Sequence, residues 1–201
     1  MAIYDECHKV GGMTAFNWLE DPKRLAFQFA RYKFVAKMLE GQIRVLEVGC
    51  ADGVGARIVR QHVQKLVGID IDEASIVEAR RLMSERWPVD FLVHDIMAKP
   101  LNGFTAAYCL DFFEHIADEQ RLLSHLRHCA PVVVIGTPSL ESQRYASEIS
   151  RAGHVNCVSK AGLRERMLRH WRHVFMFGMN DETLHTGHDG MTHYLLALGV
   201  A

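Results

Sequence analysis

The chain has no long apolar run, no paired cysteines and no excess of either charge. Its longest stretch without Asp, Glu, Lys or Arg runs from His128 to Leu140, 13 residues, well short of the ~20 that a membrane-spanning helix needs. Insertion into a membrane is therefore not expected. Cysteine is sparse: Cys7, Cys50, Cys109, Cys129 and Cys157 are widely spaced, odd in number and include no C-x-x-C pair. That pattern argues against a disulfide framework or a thiolate zinc site, and for a reduced, cytoplasmic chain. The opening MAIYDECHKV places acids early and has no apolar core segment, unlike a signal peptide. Basic and acidic side chains number 23 and 24, so the positive excess of a strong nucleic-acid binder is missing too.

What remains is an ordinary globular composition, 201 residues with 49% apolar and 23% charged, long enough for one domain with a full core. No repeat, low-complexity tract or linker divides it. The expectation is a single domain over residues 1–201, with a helical cap at 1–40, a core at 41–136 and a final region at 137–201. Histidine is unevenly placed: nine of the 12 lie at or beyond His115.

Between residues 43 and 136 two textures alternate. Short β-branched apolar runs occur at Ile43–Val48, Leu66–Ile71, Asp90–His94, Ala106–Leu110 and Pro131–Gly136. Helical spacing fills the gaps, at Ala56–Gln61, Glu73–Arg86 and Glu119–His128. Continuous apolar strands separated by helices indicate a parallel sheet buried on both faces, and right-handed crossovers make it a doubly wound α/β fold. Asp21–Leu39 reads as an amphipathic helix packed over that sheet. A helix at Lys160–His170 and two strands, His173–Met179 and Thr192–Leu198, follow; a polar loop joins the strands, which are expected to pair antiparallel. The total is seven strands, mostly parallel.

The stretch Val45-Leu46-Glu47-Val48-Gly49-Cys50-Ala51-Asp52-Gly53-Val54-Gly55 runs from a strand through a glycine-rich turn into a helix. Glycine allows backbone conformations closed to other residues and lets a ligand approach. The dinucleotide fingerprint G-x-G-x-x-G fails, because Ala51 and Val54 occupy its later glycine positions. The pattern is acid-x-Gly-x-Ala-x-Gly, which resembles motif I of the class I S-adenosylmethionine-dependent methyltransferases, where Ala51 is more often glycine. Asp70 ends the second strand, 21 residues after Gly49, where a carboxylate can accept both ribose hydroxyls. The resemblance implies that role for Asp70, with Asp72 its neighbouring rival; the competing use of Asp70 is as a cap for the helix starting near Glu73. It further implies that Ile71 packs on the adenine, that Asp95 in His94-Asp95-Ile96 meets its amino edge beside Ile96, and that Asp111 at the fourth strand's end faces the sulfonium. Glu47, Gly49, Cys50, Ala51 and Gly53 complete the implied cofactor set, and Tyr32 is expected to close over the methionine moiety. A short-chain NAD(P) oxidoreductase would need Tyr-x-x-x-Lys after a later strand, but Ile149 stands four residues beyond Tyr145.

The fourth strand continues into Asp111-Phe112-Phe113-Glu114-His115. This spacing resembles the Glu-x-x-Glu-His metal motif of ubiquinone-pathway O-methyltransferases and small-RNA 2′-O-methyltransferases, with Asp for the first Glu. His154 is the candidate fourth ligand, so a divalent metal, if present, would fall to Asp111, Glu114, His115 and His154. Without metal, His115 or His154 is the candidate base for a hydroxyl acceptor. His185, His188 and His193 flank the polar loop at Asp181–Met191, a candidate lid, and Arg144 is a candidate anchor for an anionic substrate group. The primary expectation is a methyltransferase acting on oxygen of a small molecule. An RNA 2′-O-methyltransferase and a non-catalytic cofactor-binding regulator are the alternatives. The oligomeric state is left open.

Overall fold

The apolar runs become strands β1 (Arg44–Val48), β2 (Lys65–Asp70), β3 (Asp90–Val93), β4 (Ala106–Leu110) and β5 (Val132–Pro138), followed by β6 (His173–Asn180), β7 (Thr183–His185) and β8 (Tyr194–Val200). The computed structural model describes residues 10–187 and 189–201; Cys7, His188 and the acidic opening segment lie outside the described residues. One sheet forms in the order β3-β2-β1-β4-β5-β8-β6-β7. Strands β1 to β5 pair in parallel, and β8 enters antiparallel between β5 and β6. The eighth strand is the departure from expectation. Short β7 folds part of the polar loop back onto β6, pairing Gly178 with His185 and Asn180 with Thr183.

Alternation along the strands buries both faces, as continuous apolar runs require. Leu46 and Val48 pack in one core with α5 (Glu119–Cys129) and α7 (Lys160–Met167). Val45 packs in the other, under α2 (Pro22–Met38), α3 (Ala56–Arg60) and α4 (Glu73–Arg81). Arg80 donates from Nε and Nη2 to the Phe91 carbonyl (3.0 and 2.7 Å), which occupies an outward acceptor on edge strand β3. No described helix is long and apolar enough to cross a membrane.

Four helical assignments depart from expectation. Helix α1 (Gly12–Glu20) and the short α6 (Glu148–Gly153) were not expected, and α4 stops at Arg81 rather than Arg86. Beyond Leu82 the chain turns so that Ser84 and Trp87 form an isolated bridge, just ahead of Pro88, which disfavours helix in the residue before it. Likewise α7 ends at Met167, short of His170.

The cap of α4 separates the two candidate aspartates. Asp72 accepts from the amides of Ala74 and Ser75 (3.3 and 3.0 Å) and from the Ser75 hydroxyl (2.6 Å), so the capping role belongs to Asp72 and Asp70 is free of it. Those Ser75 donors hold the Asp72 carboxyl below its ordinary range. A group whose folded pKa is depressed contributes stability above its unfolded pKa and loses it as pH falls through the folded one. Asp72→Ala is therefore expected to lower the thermal midpoint at neutral pH, with the gap to the parent closing in acid. Equal midpoints at neutral pH would contradict the capping role.

Candidate active site

Beyond β1 the backbone turns through Gly49 (φ 77°), Ala51 (φ 46°) and Gly53 (φ 70°). At Gly49 an added Cβ would lie 2.6 Å from Cδ2 of Phe112, so both the left-handed conformation and the close approach require glycine. Ala51 adopts the left-handed region without being glycine, which costs on the order of 1 kcal/mol. The end of β2 holds it there: Ala51 N–H donates to Asp70 Oδ2 (3.0 Å), and Asp72 N–H donates to Asp70 Oδ1 (3.0 Å). Each Asp70 oxygen keeps acceptor capacity for a further donor.

A cleft of about 270 Å³ opens over this turn, bordered by Gly49, Asp70, Ile71, Asp95, Ile96 and Phe112 among others. Ile71 is 69% exposed, an apolar surface at the rim able to take the face of a ring. Asp95 is held by the Met97 amide, which donates to its Oδ1 (2.7 Å). The wall thus pairs two carboxylate acceptors with isoleucine side chains, a set that suits the hydroxyls, amino edge and flat face of a nucleoside.

Next to it lies a cavity of about 230 Å³ lined by Arg24, Gln28, Arg31, Asp111, Glu114, His115, Pro138 and His154, with Met13 and Asn17 from α1. The two share one short segment: Phe112 and Ile116 face the cleft, Asp111, Glu114 and His115 the cavity. Asp111 sits at φ 51°, a strained conformation fixed by its N–H, which donates to the Gly136 carbonyl (3.1 Å) and to the Tyr194 hydroxyl oxygen (3.1 Å). Its carboxylate receives Nη1 of Arg31 at 2.9 and 2.8 Å, and the Arg31 guanidinium lies 3.7 Å above the Tyr194 ring.

Glu114, His115 and His154 form the other half of the cavity, with ligand atoms that all lie within 4.8 Å of one another. Glu114 is buried and accepts from the Thr137 hydroxyl (3.1 Å). Burial, then the Asp111 charge, raises its carboxyl to about 8. His115 Nδ1 donates to the Gly153 carbonyl (2.9 Å). His154 Nδ1 donates to Gln143 Oε1 (2.9 Å), and Gln143 is itself oriented by donating Nε2 to the Ser139 carbonyl (3.3 Å). Both imidazoles therefore carry their proton on Nδ1 and keep Nε2 as an acceptor when neutral. Burial and the neighbouring His115 hold His154 below the ordinary histidine range.

A family model described as a methyltransferase domain matches residues 18–178. The chain belongs to this methyltransferase family. Among curated relatives, the ubiquinone biosynthesis O-methyltransferase of Coxiella burnetii (strain Dugway 5J108-111) is 26% identical over 111 residues, 53% of this chain and 46% of that protein. The chain thus spans about half the length of such relatives. Among solved structures, the N-methyltransferase NodS from Bradyrhizobium japonicum WM9 in complex with S-adenosyl-L-homocysteine shares the fold at TM-score 0.66 and 16% identity, over 95% of this chain and 93% of that one. The methyltransferase domain of bacterial CtHen1 does so at TM-score 0.71 and 14% identity, over 87% and 98%.

Within this methyltransferase, several expected residues sit elsewhere than the motif alone suggests. Tyr32 borders neither cavity. Its ring packs where a Gly55 Cβ would be, 2.1 Å from the ring carbons, because the helical phase of α2 turns Arg24, Gln28 and Arg31 to the cavity and Tyr32 to the sheet. The Cys50 side chain is buried in the same core. Asp111 is drawn to Arg31 and stands outside the converging set of Glu114, His115 and His154. His185 lies against Asn180 and Thr192 (3.1 and 3.3 Å), away from the acceptor cavity. Helix α1 was missed altogether. It is clamped to the glycine-rich turn by Thr14, whose amide and hydroxyl donate to Asp52 Oδ2 (3.3 and 3.1 Å).

Glu47 lies beneath the turn, 1% exposed, beside Tyr32 and Tyr108, and its Oε2 has no hydrogen-bond partner among the described residues. Burial raises its carboxyl from 4.5 to about 8 against the opposing effect of the Tyr108 and Tyr32 hydroxyls. Between those values the folded chain keeps a proton that the unfolded chain releases, so stability is full in acid and falls as pH rises through about 8. Glu47→Gln is expected to flatten that decline in urea or thermal unfolding measured across the window. A parent whose stability rises from pH 5 to 8 would contradict the assignment.

Proposed function

We propose that this methyltransferase carries the methyl group of S-adenosylmethionine to a hydroxyl oxygen of a small molecule. The observation that supports the reading is the shared segment 111–116, which sets the cleft over Asp70 and Asp95 directly beside the imidazole pair of His115 and His154. When bound, S-adenosylmethionine supplies an electrophilic methyl on a sulfonium sulfur. The Asp70 carboxylate would accept from its ribose hydroxyls, Asp95 from the adenine amino edge, and Ile71 and Ile96 would lie against the base. On the acceptor side, Nε2 of His154 or His115 would take the hydroxyl proton as the oxygen–methyl bond forms and the methyl–sulfur bond breaks, with S-adenosylhomocysteine leaving as the thioether. Arg31, bonded to Asp111 and backed by Tyr194, fixes the wall between the two sites.

One observation favours a second reading. Glu114, His115 and His154 converge, and both imidazoles donate Nδ1–H to oxygen acceptors, which is the outer support that metal-binding histidines use. A divalent cation there would lower the pKa of the acceptor hydroxyl and orient it.

Two measurements test these readings. Asp70→Ala removes a charged acceptor from two hydroxyls, and calorimetric affinity for S-adenosylhomocysteine should fall at least ~tenfold; unchanged affinity would take Asp70 out of the site. Methyl transfer from labelled donor should survive EDTA, rise with pH and level off below the ordinary histidine range, with His154→Ala losing the rise. Collapse in EDTA with recovery in Mg²⁺ or Mn²⁺ would instead establish the cation.

A further inference from the structure

The acceptor cavity does not stop at His154. Pro138 and His154 also border a groove of about 500 Å³ whose remaining walls include Gln143, Tyr145, Ala146 and His193. Among the described residues, no Lys, Arg, Asp or Glu is part of its lining. A nucleic-acid strand laid there would meet no cation in the lining and only Arg144 beside the Tyr145 ring, fewer than a run of phosphates requires, whereas an apolar body would meet proline, alanine and an aromatic ring.

Tyr145 stands out on this wall. It is 72% exposed, an unusual position for a large aromatic side chain with no core to fill. The Arg144 guanidinium lies 4.7 Å from its ring centroid, and this cation–π contact restrains the ring on one side. Both belong to the 3-10 turn Leu140–Tyr145, held at its start by Ser139, which accepts from the Ser142 amide (3.1 Å). The same turn carries Gln143, which orients His154. A single local element therefore sets both the imidazole and the aromatic platform beyond it.

We propose that this groove is the body-binding half of the acceptor site, and that Tyr145 selects acceptors whose hydroxyl is carried on a flat aromatic ring. The inference rests on the methyl-transfer reading above and names its substrate class. A planar ring stacks on Tyr145 and slides its hydroxyl toward His154 Nε2; a puckered aliphatic diol fills the same volume without the stacking contact.

Calorimetry on the full chain saturated with S-adenosylhomocysteine tests this, with caffeate, cyclohexanediol and a short RNA bearing a free terminal cis-diol as probes. Caffeate should bind about three- to tenfold tighter than cyclohexanediol. Tyr145→Ala should weaken caffeate about three- to tenfold, as expected for loss of an aromatic pair, and Tyr145→Phe should restore it. Binding of S-adenosylhomocysteine by each variant confirms that it folds. Caffeate affinity unmoved by Tyr145→Ala, or cyclohexanediol or RNA bound as tightly as caffeate, would overturn the inference and leave methyl transfer standing. No binding of S-adenosylhomocysteine by the parent chain would overturn both.

Discussion

Strand β1 pairs in parallel with β2 on one side and β4 on the other, and the site depends on that reversal of strand order. Where connections leave a sheet in opposite directions, a crevice opens beyond the carboxyl ends of the strands. Everything chemical in this protein is arranged along it. Gly49 follows β1, Asp70 ends β2, Asp95 follows β3, and the Asp111–Ile116 segment follows β4. The parallel register brings Asp70 opposite Val93 and lets its carboxylate reach back to the Ala51 amide. A strained turn is thereby held by one charged group from a neighbouring strand.

Two buried carboxyls flank this edge with raised pKa values, for related reasons. Glu47 sits under the turn in the core that carries α2, and Glu114 sits under the acceptor cavity with only Thr137 as side-chain donor. Both are pushed up chiefly by burial, and a protonated carboxyl adds no unpaired charge to the interior. Arg31 and Asp111, by contrast, form an ion pair that is partly open to the cavity.

Much of the cofactor side was legible in the residues because its demands are local. A positive φ calls for glycine at 49 and 53 whatever the rest of the fold does, and a carboxylate at a strand end follows from spacing alone. Spacing put Asp70 first for the ribose but left it open to a capping role and left Asp72 as its rival. Their backbone partners separate them: Ser75 and Ala74 for one, Ala51 for the other. Tyr32 and Arg31 are adjacent on a helix whose two faces are both partly apolar, so which one meets the cavity depends on the rotation of α2 over the sheet. Helix α1 escaped notice because it is short, nine residues, and opens on Gly11 and Gly12, residues that disfavour helix.

The amino-acid sequence by itself determined the strand–helix alternation, the glycine-rich turn and the order of the motifs, because backbone conformation and burial periodicity act over a few residues. Only the tertiary structure decided the acceptor side. Arg31 meets Asp111 across 80 positions of chain, His115 meets the Gly153 carbonyl across 38, and Gln143 fixes the imidazole of His154 from a separate turn. Contacts of that kind depend on the three-dimensional path that brings distant segments to one sheet edge. No short-range periodicity encodes such a path: the motif's spacing nominated Asp111, Glu114, His115 and His154 together, and only the folded chain brings the last three within reach of one another while turning Asp111 to Arg31.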